Sequence, residues 1–175
     1  KISEIAIRNL SNKDLFGYEI DKNRFIRTES NLKKMRLKNV TIYNDDFLNC
    51  KNKKFDKILL DVPCSSTGTI NKNPDIMIRR SLNDYNFFNT IQLSLLNKSI
   101  SLINTNGSIV YSTCSINNNE NWSIIDKFLH CNKEFYVDKV GDEVPLKYRD
   151  KRGALNILPN IHNLDGMFGV RIKRK

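Results

Sequence analysis

Short apolar segments of strand character alternate along this chain with longer segments whose apolar residues repeat at helical spacing. The spacing predicts helices over residues 2–10, 22–36, 82–104 and 119–129, the third with Asn106-Gly107 as its stop signal. Strands are predicted over residues 15–20, 40–43, 55–61, 108–113, 134–140 and 166–172, with 141–165 mostly loop. Strands that alternate with helices form a parallel sheet covered on both faces, so the sequence predicts a doubly wound α/β fold.

Polar side chains follow several of these predicted strands at the point where each strand ends. They are Glu19, Asp46, Asp61, Cys64 and Cys114. In a doubly wound sheet, ligands bind beyond the carboxyl ends of the strands. We therefore expect these five residues to lie on one rim and to form the active site.

Two of the strand ends share one design, an apolar strand followed by a small polar turn with a cysteine. The first reads DVPCSSTGTI over residues 61–70, and the second reads SIVYSTCSI over residues 108–116. Pro63 removes a backbone donor and fixes its turn, which would present Cys64 at the rim and not in the core. A thiolate in an electropositive setting is a strong nucleophile, so paired cysteines indicate covalent catalysis.

The remaining cysteines, Cys50 and Cys131, are predicted to be buried and structural. None of the four cysteines forms a CxxC pair, so the pattern favours neither a zinc site nor a redox dithiol. A chain of 175 residues has room for a core without disulfides, and we expect one domain in a reducing, cytoplasmic setting. No apolar run is long enough to span a membrane.

The net charge of +10 favours a polyanionic partner, most simply a nucleic acid. A bias toward Lys, Asn and Ile would produce part of the same charge without any such function. The candidate phosphate contacts lie in the segment after Cys64 and in the late loop: Lys72, Arg79, Arg80, Arg149 and Arg152. The alternative for each of them is an ordinary solvated surface.

The two cysteine segments resemble a known family. DVPCSSTG followed by NPDI, and YSTCSI followed by NNNEN, are similar to the fourth and sixth motifs of the RsmB/Nop2/Sun (Fmu) RNA 5-methylcytosine methyltransferases. YEIDKNR resembles the acidic ribose-binding motif, and LPNIHNLDGMFGVRIKRK resembles the closing hairpin. The resemblance implies a Rossmann-like class I methyltransferase that uses S-adenosylmethionine and acts on RNA, with small-subunit (16S) ribosomal RNA expected.

The same resemblance implies roles for individual residues. Cys114 is implied to attack carbon 6 of cytosine, and Cys64 is implied to help release the product. Asp61 is implied to contact the ring edge and the cofactor side of the pocket. Glu19, Asp46 and Lys1 are implied to bind the cofactor, Glu19 through the ribose hydroxyls. Glu19 stands where the family has an aspartate.

The chain departs most from the family at its start. Lys1 resembles the last residue of a Gly-Gly-Lys motif, so the first strand and its glycine-rich loop are expected to be missing. We expect residues 1–175 to be a single, N-terminally truncated catalytic domain, monomeric, of low stability and without methyl transfer on its own.

Three alternatives stay open at this point. A transfer RNA substrate fits the motifs as well as a ribosomal one. A DNA cytosine methyltransferase would place its nucleophile in the first Pro-Cys motif, at Cys64. A non-catalytic RNA-binding relative would fit the missing cofactor loop, although both cysteines are present.

Overall fold

The computed structural model describes residues 2–8 and 14–175 and divides the chain into two compact units, Lys1–Lys51 and Asn52–Lys175. The helices are α1 (Ile2–Arg8), α2 (Lys22–Lys34), α3 (Ile76–Arg79), α4 (Leu82–Leu102), α5 (Trp122–Cys131) and α6 (Pro159–His162). The strands are β1 (Leu15–Tyr18), β2 (Val40–Tyr43), β3 (Phe55–Asp61), β4 (Ile103–Thr113), β5 (Phe135–Asp138), β6 (Leu155–Ile157) and β7 (Met167–Arg174).

The first unit is built on two parallel strands, β1 and β2, joined by α2. Asp21 caps α2 by accepting a hydrogen bond from the Arg24 backbone N–H at 2.8 Å. Leu32 of α2 is buried, and the rings of Tyr18 and Tyr43 stack at the ends of the two strands with centroids 5.0 Å apart. The strands therefore end side by side, immediately before Glu19 and Asn44.

The second unit carries a five-stranded mixed sheet in the order β3-β4-β7-β5, with β6 also paired to β7. β3 and β4 are parallel, whereas β7 runs antiparallel to β4, β5 and β6. The predicted α/β architecture is confirmed, and so are the closing strands near 134–140 and 166–172. The sheet is not purely parallel, because its last strands pair as antiparallel neighbours.

Strand β4 forms the centre of this core. Its inward side chains Ile109, Tyr111 and Thr113 are almost completely buried, at alternate positions as expected for a strand with one covered face. Helix α5 buries one stripe of apolar side chains, among them Ile124 and Phe128, and packs on α4. α4 thus lies against β3 and β4, whereas the aromatic rings of α5 pack against Phe168 of β7 and Phe135 of β5.

The predicted end of the long helix is wrong. α4 ends at Leu102, since Ile103 adopts extended backbone with φ −83° and ψ 136° and pairs with Phe55 of β3. Burial of Ile103 in the core favours the strand there. Gly107 is no helix stop: a Cβ on it would lie 2.7 Å from the Ile103 side chain, so glycine serves a close approach within β4.

The segment 141–165 contains more structure than predicted. It includes β6, α6 and a short 3₁₀ turn at Leu146–Tyr148. The sequence gives little sign of β6 because the strand is only three residues long and pairs on one edge alone, with β7.

Candidate active site

The first cysteine segment leaves β3 and turns inward. Val62 extends the pairing of β3 by donating to the Ser112 carbonyl at 3.1 Å. Ser66 adopts the left-handed conformation with φ 62°, and a 3₁₀ turn follows at Thr67–Thr69. Pro63 faces solvent, whereas Cys64 is only 6% exposed. Cys64 therefore lies at the strand ends as expected, but the expectation that it is not packed in the core is wrong, because its side chain is buried.

The thiol groups of Cys64 and Cys114 lie next to each other. Cys64 Sγ and Cys114 Sγ are 3.4 Å apart, within hydrogen-bonding distance for sulfur, and Ser66 Oγ lies 3.5 Å from Cys114 Sγ. Cys114 is the more exposed of the pair. The hydrogen bond to Cys114, together with burial, raises the pKa of the Cys64 thiol far above its ordinary value. Cys64 therefore keeps its proton at neutral pH and can donate it in a hydrogen bond to the Cys114 sulfur.

We refer to residues 61–69 and 113–121 as the first and second cysteine loops. A backbone hydrogen bond joins them, from the Gly68 N–H to the Cys114 carbonyl at 2.9 Å. Gly166, directly before β7, donates from its N–H to the Gly68 carbonyl at 2.7 Å. A Cβ on Gly68 would lie 2.5 Å from the Gly166 oxygen and 2.7 Å from the Cys114 oxygen. Only glycine fits between the loops at this point.

Hydroxyl groups fill the space between the two loops. Ser65 Oγ lies 3.2 Å from Ser115 Oγ, and Thr67 Oγ1 lies 3.0 Å from the same atom. Ser65, Thr113 and Ser115 are at most 1% exposed. These three hydroxyl groups bond to neighbouring residues of the loops.

A buried carboxyl group completes the contact between the loops. Glu120, in the 3₁₀ turn Asn118–Glu120, accepts hydrogen bonds from the Ser65 backbone N–H at 2.8 Å and from Ser65 Oγ at 2.5 Å. Gln92 Nε2 of α4 lies 3.5 Å from the same carboxyl group. Sequence reasoning missed Glu120, since a charged residue in an asparagine-rich run is typical of an exposed turn.

Asp61 lies at the carboxyl end of β3, next to these loops. Its side chain is exposed, and Ser112 Oγ lies 3.4 Å from its Oδ1. Ser112 is also its register partner on β4, two residues before Cys114. The structure thus brings Asp61, Cys64 and Cys114 together at the ends of two adjacent parallel strands.

The predicted cofactor residues Glu19 and Asp46 belong to the first unit. Glu19 follows β1, accepts a hydrogen bond from the Asp21 N–H at 2.9 Å and forms an ion pair with Arg24 at 3.2 Å. Asp46 follows β2 and caps a short 3₁₀ turn by accepting from the Leu48 N–H at 2.9 Å. A half-buried carboxylate at a strand end fits a pair of ribose hydroxyls. Lys1 lies outside the described residues.

Comparison with known proteins decides the family. The sequence model described as 16S rRNA methyltransferase RsmB/F matches residues 1–173. The chain belongs to the RsmB/F methyltransferase family. A probable ribosomal RNA small subunit methyltransferase B of Bacillus subtilis is 34% identical over 71% of this chain. The 25S rRNA (cytosine-C(5))-methyltransferase nop2 of Schizosaccharomyces pombe is 28% identical over 99% of it.

The chain spans about a third of the length of these relatives, 29% of the Bacillus protein and 31% of the yeast one. Among solved structures, NSun6 from Pyrococcus horikoshii with SFG superimposes with a TM-score of 0.84 at 25% identity, over 99% of this chain and 44% of that one. A methyltransferase homologue from the same organism gives 0.75 at 28% identity, over 93% and 53%. The Rossmann-like methyltransferase fold is thereby confirmed, and S-adenosylmethionine is the cofactor that these relatives imply.

Each basic residue that is predicted to contact RNA has an ion-pair or hydrogen-bond partner within this chain. The partners are Asp165 for Lys72, Asp75 for Arg79, the Ser65 carbonyl for Arg80, Asp142 for Arg149 and Asp126 for Arg152. Lys72 and Arg79 remain mostly exposed, whereas the Arg149 side chain is largely covered. An RNA phosphate would therefore compete with an internal carboxylate at four of the five positions.

Two further properties concern the part of the chain that the structure describes. Within residues 2–8 and 14–175, no helix combines the length and apolar character needed to cross a bilayer. Within the same residues, no cluster of three or more His, Cys, Asp or Glu side chains could hold a metal ion.

The prediction that Cys131 is buried is wrong. This cysteine is the last residue of α5 and is exposed to solvent.

Proposed function

We propose that this chain carries the reacting residues of an enzyme that methylates carbon 5 of a cytosine in RNA, most simply 16S ribosomal RNA, through a covalent adduct with Cys114. The observation that carries the proposal is the pair of thiols 3.4 Å apart on adjacent strand ends. Only one of the two is open to a substrate, since Cys64 is buried and Cys114 is not. The match over residues 1–173 supports one catalytic domain for both units.

The proposed reaction begins at Cys114. Its thiolate forms a bond to carbon 6 of the cytosine, and the ring electrons move toward carbon 5. The Cys64 S–H stabilises this thiolate beforehand by donating to it across 3.4 Å. Asp61, exposed at the end of β3, is placed to hydrogen-bond the edge of the ring that gains electron density. S-adenosylmethionine supplies the methyl group that carbon 5 takes.

Release needs the proton on carbon 5 to leave and the bond between carbon 6 and sulfur to break. The largest cause of the raised Cys64 pKa is its hydrogen bond with Cys114. Once the Cys114 sulfur is bonded to carbon, that cause is gone, so the pKa of the Cys64 thiol falls toward its ordinary value and the thiol can lose its proton to water more readily. We propose that the Cys64 thiolate formed in this way accepts the carbon 5 proton while the electron pair of the broken bond returns to Cys114.

The buried position of Cys64 distinguishes this proposal from the mechanism of DNA cytosine methyltransferases, in which the first Pro-Cys motif holds the nucleophile. At 6% exposure, Cys64 is less accessible to an incoming base than Cys114. The cytosine must leave its stack to reach Cys114, so a single-stranded loop or a flipped base is the expected substrate. The net charge of +10 supports a polyanionic partner.

The test is methyl incorporation by the protein expressed from its complete gene, with labelled cofactor and either ribosomal or transfer RNA. Variants Cys114→Ala and Cys64→Ala are compared with Cys131→Ala, whose thiol lies at the exposed end of α5. We expect no incorporation in Cys114→Ala, a trapped RNA–protein adduct in Cys64→Ala, and unchanged activity in Cys131→Ala.

Other outcomes would contradict the proposal in distinct ways. Incorporation that survives in Cys114→Ala and is lost in Cys64→Ala would reverse the assignment of the nucleophile. Incorporation into transfer RNA alone would replace the substrate. If the wild-type protein binds RNA but methylates neither kind, the chain belongs to a non-catalytic RNA-binding relative.

A further inference from the structure

Glu120 is the most deeply buried acidic side chain near the two thiols, with 0% exposure. A buried carboxyl group is costly unless hydrogen bonds compensate it. In the described part of the chain, no Lys or Arg forms an ion pair with Glu120; its carboxyl oxygens accept instead from the backbone and hydroxyl of Ser65. The proposed chemistry assigns this residue no step, so its burial needs another explanation.

The contacts of Glu120 run from one cysteine loop to the other. Glu120 belongs to the second loop, six residues after Cys114, and both of its oxygens hold Ser65, the residue next to Cys64. Its own backbone carbonyl accepts from the Tyr111 hydroxyl at 2.6 Å. Tyr111 is fully buried in β4. Glu120 is therefore anchored to the core strand through its backbone carbonyl and to the first loop through its carboxyl group.

Gln92 of α4 adds a second connection to the same point. Its Nε2 donates to the Pro63 carbonyl at 2.9 Å and lies 3.5 Å from Glu120 Oε1. Gln92 thus holds Pro63, and Glu120 holds Ser65. Both residues that flank Cys64 are fixed in this way. Cys64 has little freedom to move along the loop.

We propose that Glu120 is a positioning residue that sets the separation of the Cys64 and Cys114 thiols by holding the first cysteine loop against the second. The inference rests on the proposed function, because it concerns the geometry that covalent catalysis by Cys114 requires. A hydrogen bond between sulfurs exists only over a narrow range of distances. A misplacement of about 1 Å in a reacting group can reduce a rate about 100-fold.

The variants separate position from charge. Glu120→Ala removes every side-chain contact to Ser65. Glu120→Gln keeps the size of the side chain and one oxygen for the Ser65 N–H, and its new NH₂ group can donate to Ser65 Oγ. Ser65→Ala removes half of the link and creates a smaller cavity. Ile124→Val is the control for an altered buried side chain, since Ile124 is equally buried and lies on α5, outside both cysteine loops.

The first measurement reports on thiol separation without any methyl transfer. Diamide oxidises two adjacent thiols to one disulfide and takes up their two electrons and two protons. Mass spectrometry after alkylation measures how fast the Cys64–Cys114 disulfide forms in the protein expressed from its complete gene. We expect Glu120→Ala to slow this at least about tenfold, Ser65→Ala to slow it less, and both Glu120→Gln and Ile124→Val to stay within about threefold of wild type.

The second measurement is steady-state methyl transfer on ribosomal RNA. We expect Glu120→Ala to lower kcat about 100-fold with little change in KM for the cofactor, and Glu120→Gln to restore most of the loss. If Glu120→Ala does not fold, the intermediate effect of Ser65→Ala carries the same test.

Two results would overturn the inference. Disulfide formation at the wild-type rate in Glu120→Ala or Ser65→Ala would show that the loops hold their separation without this link. A loss in Glu120→Gln as large as that in Glu120→Ala would assign the role to the charge and not to position. Failure of the proposed function is a separate result: the wild-type protein would then lack methyl transfer, while the disulfide measurement would still report on Glu120.

Discussion

The cysteine loops and the basic residues use polar groups in opposite ways. In the loops, the hydroxyl and carboxyl groups of Ser65, Ser115 and Glu120 are buried and bonded to one another. The basic residues form most of their contacts at the surface; the side chains of Lys72 and Arg79, for example, are 71% and 75% exposed while paired with aspartates. The polar contacts of the cysteine loops are shielded from water, whereas those of the basic residues are exposed to it.

This difference sets the size of the effects that mutations should have. Removing one partner from a buried hydrogen bond leaves the other without water and costs about 1–3 kcal/mol. An exposed ion pair contributes about 0.2–1 kcal/mol at most sites. Substitutions in the cysteine loops should therefore change both stability and chemistry, while substitutions of the mostly exposed Lys72 and Arg79 should change mainly what the surface binds.

The largest effect is expected for Gly68→Ala, which tests whether the two cysteine loops can be pushed apart without loss of stability or activity. The new Cβ would lie 2.5 Å from the Gly166 oxygen and 2.7 Å from the Cys114 oxygen, and both are backbone atoms that cannot rotate away. We expect the free energy of unfolding to fall by about 1–3 kcal/mol in urea titrations. Methyl transfer should fall about 100-fold, since the Cys114 loop must shift.

Gly169→Ala is the control for that substitution. Gly169 is also buried, but a Cβ on it would lie 3.6 Å from the Leu155 side chain, an ordinary contact. Its effect on unfolding should stay within about 0.5 kcal/mol, with unchanged activity. Equal losses in the two variants would mean that an added methyl group at any buried glycine has this effect and that the close contact at Gly68 has no special role.

The fold could be predicted from sequence because each element carries its own periodic signal. β3 and β4 end where their apolar runs give way to small polar residues, and α5 shows one apolar face. The boundary between α4 and β4 could not be predicted, since Ile103 is apolar in either state. Its pairing with Phe55, 48 positions earlier in the chain, decides the matter. Contacts of this kind appear only once the chain is folded.

The two cysteines of the site could be predicted from the sequence, but the residues that hold them in position could not. The strand-end pattern brought Cys64 and Cys114 to one place, as the sequence indicates. Glu120 carries no comparable signal, because burial of a carboxyl group depends on donors from Ser65 and Gln92, which lie far away in sequence. The assignment of Glu19 and Asp46 to the cofactor stays a prediction.

A middle-sized effect is expected for Arg152→Ala, which asks whether this residue belongs to the RNA surface at all. Its guanidinium lies 3.7 Å from the centroid of the Trp122 ring and forms an ion pair with Asp126. We expect a loss of about 1–2 kcal/mol in the free energy of unfolding from these combined contacts. RNA affinity, measured by filter binding, should hardly change.

Arg152→Lys serves as the comparison, since it keeps the charge but loses the planar group over Trp122. It should lose about 0.5–1 kcal/mol in the same measurement. An unfolding free energy equal to wild type in Arg152→Ala, together with weakened RNA binding, would place Arg152 with the RNA-contacting residues and narrow the contrast between the two regions.

The smallest effect on stability is expected at Lys72, where the contrast between the regions is sharpest. Lys72 Nζ lies 2.6 Å from Asp165 Oδ2, yet its side chain is mostly exposed. Lys72→Ala should change the free energy of unfolding by less than about 0.5 kcal/mol. If the lysine contacts a phosphate, RNA affinity should fall and the slope of log affinity against log salt should decrease by about 1.

Asp165→Asn is expected to change RNA affinity in the direction opposite to Lys72→Ala. It removes the carboxylate that competes with a phosphate for Lys72, so RNA should bind more tightly at low salt, while stability again stays nearly constant. The pair of variants is informative because both break one ion pair. Equal weakening of RNA binding in both would mean that the ion pair itself shapes the surface. No change in either would leave Lys72 an ordinary solvated residue, with RNA contacts to be sought elsewhere on the protein.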